Sequence, residues 1–171
     1  MDDRGFTIIE LVMVIIVVSI LAAVAIPQFG RYWAGIKLNN AVMKIASDIR
    51  YAQNRATTTQ QRTRVIFSSS TTYDIQSCPI AAPYNTTTCK CPDPADNLWV
   101  PATGFPINLN NTEFLGVTIT APAAGSWLEF DSLGKPSINP CGTATGTTIT
   151  VQNGSSTKPI NVATQTGMVS Y

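Results

Sequence analysis

The sequence of 171 residues contains no histidine. That absence removes the side chain most often used as a general base, and the commonest metal ligand. A Ser-His-Asp triad and any histidine-containing zinc site are excluded with it. Charge is scarce too. Asp, Glu, Lys and Arg make up 12% of the chain, about half of the roughly 25% usual in soluble globular proteins. The net charge is +1, so no bulk charge selects for nucleic acid or an anionic surface. Carboxylate, lysine and cysteine chemistry stay formally open. No catalytic constellation can be named, however, and the expectation is a non-enzymatic chain with no cofactor and no metal. Thr, Ser, Asn and Gly replace the missing charges, most visibly after Ala56. Such a surface is more typical of exported proteins than of cytosolic enzymes. The length suits one domain plus an anchor.

The charge-poor character is extreme near the N-terminus. From Leu11 to Ile26 the chain reads LVMVIIVVSILAAVAI, sixteen residues without a charge. Counted from Phe6 the stretch is 21 residues long, interrupted only by Glu10. As a helix it is about 31 Å long, the thickness of a bilayer's hydrocarbon core. A secretory signal peptide is one reading, since Ala23-Val24-Ala25 supplies a small-x-small cleavage pattern. Asp2, Asp3 and Arg4 argue against it by making the start net negative, and the run exceeds an ordinary signal core of about 7–15 residues. A plain membrane anchor is the other reading. Neither accounts for Glu10. A carboxylate inside a spanning segment costs roughly 2.5–3.5 kcal/mol near the centre, so it needs a partner. A cut after Gly5 would create one, the new α-amino group of Phe6, about one helical turn away. Pairing between neighbouring chains would then reward assembly.

Arg4-Gly5-Phe6-Thr7-Ile8-Ile9-Glu10, followed by the apolar helix and Pro27, resembles the class III leader and N-terminus of type IV pilins and pseudopilins. The resemblance implies that a prepilin peptidase cuts between Gly5 and Phe6 and methylates the amine of Phe6. It implies that Glu10 guides docking in a filament, and that Pro27 marks where the helix softens as subunits leave the membrane. The acidic leader departs from the basic leaders usual in the family. The chain then divides into a leader, 1–5, a transmembrane and filament-core helix, 6–27, a stalk helix, 28–57, and a β-rich head, 58–171. The implied partners are other pilin or pseudopilin subunits, the prepilin peptidase, an inner-membrane assembly platform, and the lipid bilayer before assembly. Nucleic acid is not an expected partner. The implied location is the bacterial inner membrane with a periplasmic head, then a periplasmic or cell-surface filament.

Past Pro27 the helical pattern resumes. Leu38, Val42, Ile45, Ile49, Ala52 and Ala56 recur at spacings of four and three, on one helix face. Pro27 is expected to kink the helix without ending it, and the β-branched run Thr57-Thr58-Thr59 to end it. Seven of the 11 basic residues fall between Arg31 and Arg64, opposed locally only by Asp48. They read as a solvated helix face that meets acidic residues of neighbouring subunits, in preference to a nucleic-acid stripe.

The remainder reads as short strands and turns. Val65-Ile66-Phe67 and Tyr73-Asp74-Ile75 form an expected hairpin, and further strands are expected at 117–120, 127–130, 147–152, 160–163 and 168–171. Asn153-Gly154 is a hairpin signal. The expected class is α+β, a long N-terminal helix packed on an antiparallel sheet or small β-sandwich head, the pilin fold. Asp131 is expected to cap the Leu133-Gly134-Lys135-Pro136 turn rather than hold calcium with Glu129. Trp33, Trp99 and Trp127 are expected in the core or at subunit contacts.

Asp48 to Ala56, Phe130 to Pro136 and Thr166-Gly167-Met168-Val169 look like the helix end, a β-turn and the last strand of H-type minor pseudopilins and FimT/FimU minor pilins. Cys78, Cys89, Cys91 and Cys141 read as disulfides in an exported domain. A Cys89–Cys91 bridge would close a very tight ring, so Cys141 is expected to bond Cys89 or Cys91 and Cys78 the other. A four-thiolate zinc site lacks its paired C-x-x-C spacing. The expected function is a minor structural subunit of a type IV pilus or type II secretion pseudopilus; DNA capture by a FimT-like subunit is the alternative.

Overall fold

A computed structural model describes residues 7–78, 99–138 and 147–171, with the backbone alone at 26–28 and 31. Helix α1 runs from Ile8 to Thr59 without interruption, through Pro27. Its second half is amphipathic. Leu38, Ala41, Val42, Ile45, Ala46, Ile49, Ala52 and Ala56 are all buried, at the three-and-four spacing of one helix face. The helix ends because Thr57, Thr58 and Thr59 turn their hydroxyls back onto carbonyls of Gln53, Asn54 and Arg55. Gln60 then adopts a left-handed conformation at φ 55°.

Ten strands follow among the described residues: β1 Thr63–Phe67, β2 Thr72–Ser77, β3 Val100–Pro101, β4 Ile107–Asn108, β5 Val117–Ala121, β6 Trp127–Phe130, β7 Pro136–Ile138, β8 Thr147–Asn153, β9 Ser156–Val162 and β10 Val169–Ser170. The first sheet has the order β3-β2-β1-β6-β7, with β4 also pairing β2. The second has the order β10-β9-β8-β5. Every pairing is antiparallel. The β1–β2 tip clips the two sheets together, since Ser70 O accepts from Ile119 N of β5 at 2.6 Å; it also holds the end of β4, where Thr71 O accepts from Leu109 N at 2.7 Å.

Strand alternation directs the core. Along β1, Thr63, Val65 and Phe67 are buried while Arg64 and Ile66 are only partly covered. Val65, Phe67, Tyr73, Ile75, Leu128 and Phe130 from the first sheet and Ile149, Val151 and Ile160 from the second join the buried helix residues in one core. The expected hairpin at β8–β9 forms, with a shifted tip. Asn153 pairs with Ser156, so the two-residue loop is Gly154-Ser155 rather than Asn153-Gly154. The two-residue strands β3 and β4, and β7 after the Leu133 turn, lie outside the expected set.

Large apolar side chains in this core stabilise by about 1.5–3 kcal/mol each. Ile45→Ala, at a fully buried position, is expected to destabilise the folded head by about 2–5 kcal/mol. Met43→Ala, on the exposed side of α1, should stay within about 0.5 kcal/mol. Thermal unfolding followed by circular dichroism checks both.

Candidate assembly site

Among the described residues, nothing in the rest of the chain covers the first half of α1. Ile8–Ala25 is long and apolar enough to cross a membrane, and none of it is buried. Its start is set by a reciprocal capping box. Glu10 N donates to Thr7 Oγ1 at 3.3 Å, while one Glu10 carboxylate oxygen accepts from Thr7 N at 3.0 Å and from Thr7 Oγ1 at 2.9 Å. Thr7 thus gives Glu10 two local donors. The pattern that announces it, a threonine three residues before a glutamate at the head of an apolar run, went unused in the sequence reading. Ser19, the one hydroxyl between Ile8 and Ala25, donates to Ile15 O at 2.6 Å and exposes no unsatisfied donor. Pro27 lies within the unbroken helix. Gly5 and Phe6 lie outside the described residues.

The second half of α1 carries the head through polar ties. Asp48 is buried and accepts from Tyr73 Oη at 2.6 Å and from Lys44 Nζ at 2.7 and 2.9 Å. Arg50 donates to Val169 O at 2.8 Å and lies over the Tyr171 ring. Gln53 Nε2 donates to both Gly134 O, at 2.9 Å, and Thr166 O, at 2.7 Å. This clasp requires glycine at two places. Gly134 has φ 78° and Gly167 φ 67°. A Cβ on Gly167 would strike the Gln53 side chain and lie 2.7 Å from Gly134 O.

These contacts correct the expectation for the basic residues. Arg55 donates to Ser77 Oγ at 2.7 Å, Arg62 pairs with the buried Glu129 at 2.7 Å, and Arg64 forks onto Gln76 Oε1 at 2.9 and 2.7 Å. Together with Arg50 they bind the subunit's own head, because helix and sheet bring acceptors from distant sequence onto them, while Lys44 pairs with Asp48 one turn along the same helix. Trp99 and Trp127 are half-buried and flank the Arg64 guanidinium at 4.2 and 5.6 Å, and Trp33 is 59% exposed. Asp131 caps the turn by accepting from Leu133 N and Lys135 N.

A shallow cleft of about 380 Å³ opens between α1 and the loop before β4. Its polar groups include the Lys44–Asp48 pair, and its wall is the stacked Tyr51 and Phe105 rings. Cys78, buried at the end of β2, is disulfide-bonded. Cys89, Cys91 and Cys141 lie outside the described residues.

A helix left bare over a membrane's thickness, then covered by an antiparallel β head, defines a pilin-like subunit. Residues 1–26 match the prokaryotic N-terminal methylation motif. Residues 41–167 match the family described as Type II transport protein GspH, and the chain belongs to that family. Two proteins of Pseudomonas aeruginosa, each described as a fimbrial protein, are 42% identical over 45 residues. The match covers 26% of this chain and only 29% of the length of those relatives. The crystal structure of the type IV minor pilin FimU from the same organism aligns at 12% identity with a TM-score of 0.49, covering 78% of this chain and 86% of that one.

The tie between Asp48 and Tyr73 carries a pH dependence. Burial first, then the Asp48 charge and its hydrogen bond, push the Tyr73 hydroxyl well above its ordinary range. The folded chain therefore keeps a proton that the unfolded chain loses above pH ~10. This contribution to stability is complete below that pH and is lost as pH rises above it. Tyr73→Phe is expected to remove that alkaline loss, and to cost about 1–3 kcal/mol at neutral pH by taking a donor from buried Asp48. Denaturant titrations across the alkaline range measure both.

Proposed function

We propose that the chain is a minor subunit of a type IV pilus or type II secretion pseudopilus, made as a precursor and cut between Gly5 and Phe6. The observation that carries the reading is an uncovered apolar helix that bears a carboxylate, Glu10, inside the methylation motif. In this reading residues 1–5 are the leader that a prepilin peptidase removes, and the same enzyme methylates Phe6. Residues 6–27 hold the subunit in the inner membrane with the head in the periplasm. An assembly platform then moves it into the filament, where Glu10 meets the Phe6 amine of a neighbour and the helix yields near Pro27. The fimbrial relatives support a filament role over the length they share. Disulfides from Cys78, Cys89, Cys91 and Cys141 would brace the head, with Cys141 bonded to Cys89 or Cys91. The alternative of DNA capture draws little support from the basic residues near α1, since Arg50, Arg55, Arg62 and Arg64 serve the subunit's own head and Lys44 pairs with Asp48.

Mass spectrometry of the mature N-terminus tests the cut. Cells with the peptidase should yield a chain starting at methylated Phe6, and cells without it an uncut precursor. A mature chain starting at Met1 or Ile26 in normal cells would sink the proposal. Glu10→Val should still insert and still be cut, yet disappear from sheared filament fractions while accumulating in the membrane.

A further inference from the structure

The head is tied to α1 at measured heights along the helix. Lys158 Nζ donates to Asn39 Oδ1 at 2.9 Å and Asn153 Nδ2 to Ala34 O at 3.2 Å. Higher up, Arg50 reaches Val169 O, and Val169 pairs with Val162 at the far end of β9. So the β8–β9 hairpin lies along the helix with its tip toward the apolar segment. From Lys158 to Ser155 the strand descends up to about 10 Å. That equals six or seven helical residues at ~1.5 Å each, and brings the tip to the level of Tyr32 and Trp33.

The same level follows from the membrane side. A hydrocarbon core of about 30 Å entered at Ile8 ends near residue 27, and the headgroup layer beyond it takes up about 5–8 Å more. Phe29, Tyr32 and Trp33 fall in that layer, exposed to 62%, 68% and 59%. Aromatic side chains of this kind favour that depth. The end of the head that reaches it is mixed apolar and basic. Leu115 is 54% exposed, and the adjacent Gly116 packs on the Asn153 side chain. Lys158 is exposed and Lys37 half-exposed, against one exposed acid in the same loop, Glu113.

We infer that this end of the head, the Gly154-Ser155 tip with Leu115, is a lipid-contact surface that rests on anionic phospholipid headgroups while the subunit waits in the bilayer, drawn there by the charges of Lys37 and Lys158 just above it. The inference rests on the reading that Ile8–Ala25 spans the membrane. Its chemistry is that of an interfacial site: aromatic rings at headgroup depth, one apolar side chain beside them, and two ammonium groups above that attract anionic lipid over a Debye length of about 8–10 Å.

The test uses the full chain, isotope-labelled, in nanodiscs of phosphatidylcholine with phosphatidylglycerol, doped with a lipid carrying gadolinium at its headgroup. Amide signals of Gly154, Ser155 and Leu115 should be lost to paramagnetic broadening, while those of Leu133 and Gly167, at the opposite end of the head, persist. Lys37→Glu combined with Lys158→Glu should restore the tip signals, and so should discs without phosphatidylglycerol. Tip signals that persist like those of Leu133, or broadening indifferent to lipid charge and to both lysines, overturn the inference. Solvent exchange at Val14 to Val18 separates the two readings. Protected amides there, with an unbroadened tip, leave the spanning helix standing and remove the lipid contact. Freely exchanging amides remove both.

Discussion

Everything in this molecule depends on apolar surface that the subunit cannot cover by itself. Thirteen large apolar side chains between Ile8 and Val24 stand exposed. Their full burial is worth on the order of 20–40 kcal/mol, several times the net stability of an ordinary domain. No rearrangement of a small β head supplies that much cover. The helix therefore calls for apolar cover from outside the described head, and the subunit's behaviour follows from what offers it.

The helix answers this demand by dividing its length. Up to Ala25 it keeps its apolar side chains outward on every face, with Thr7 and Ser19 satisfying the polar groups that lie there. From Leu38 onward the apolar residues narrow to one stripe, and two sheets close over it. Just past the end of the helix, Arg62 and Arg64 turn their charge inward. Arg62 and Glu129 compensate each other in a mostly buried setting, and Arg64 is held between two indole rings and an amide oxygen. Among the described residues, Arg50, Arg55, Arg62 and Arg64 thus direct their charge into the subunit, in a sequence in which only 12% of residues are charged.

What was legible in the sequence was what is local. The stripe from Leu38 to Ala56 obeys helical periodicity by itself, and the strands from Val65, Tyr73, Val117, Trp127 and Thr147 carry enough β-branched and aromatic residues to be read singly. The motif around Glu10 was legible because its residues are contiguous. Strands β3, β4 and β7 were not, since two or three residues become a strand only when a neighbour offers a register, as Gln76 does for Pro101. The destinations of the arginines were hidden for the same reason: Arg50 and Val169 are 119 residues apart. Thr7 is the exception, a local signal that was present and overlooked because the membrane cost of Glu10 pointed to Phe6 first.

The polar ties between helix and head have a mechanical consequence. Asn153 on Ala34, Lys158 on Asn39, Arg50 on Val169 and Gln53 on Gly134 and Thr166 are spread along the helix from Ala34 to Gln53, a span of about 29 Å. A pull along the helix axis loads them in parallel, as shear, together with the apolar stripe beneath. Peeling from one end would break them in succession at far lower force. A subunit hauled by its helix thus resists where the load is applied, and the head follows as one body.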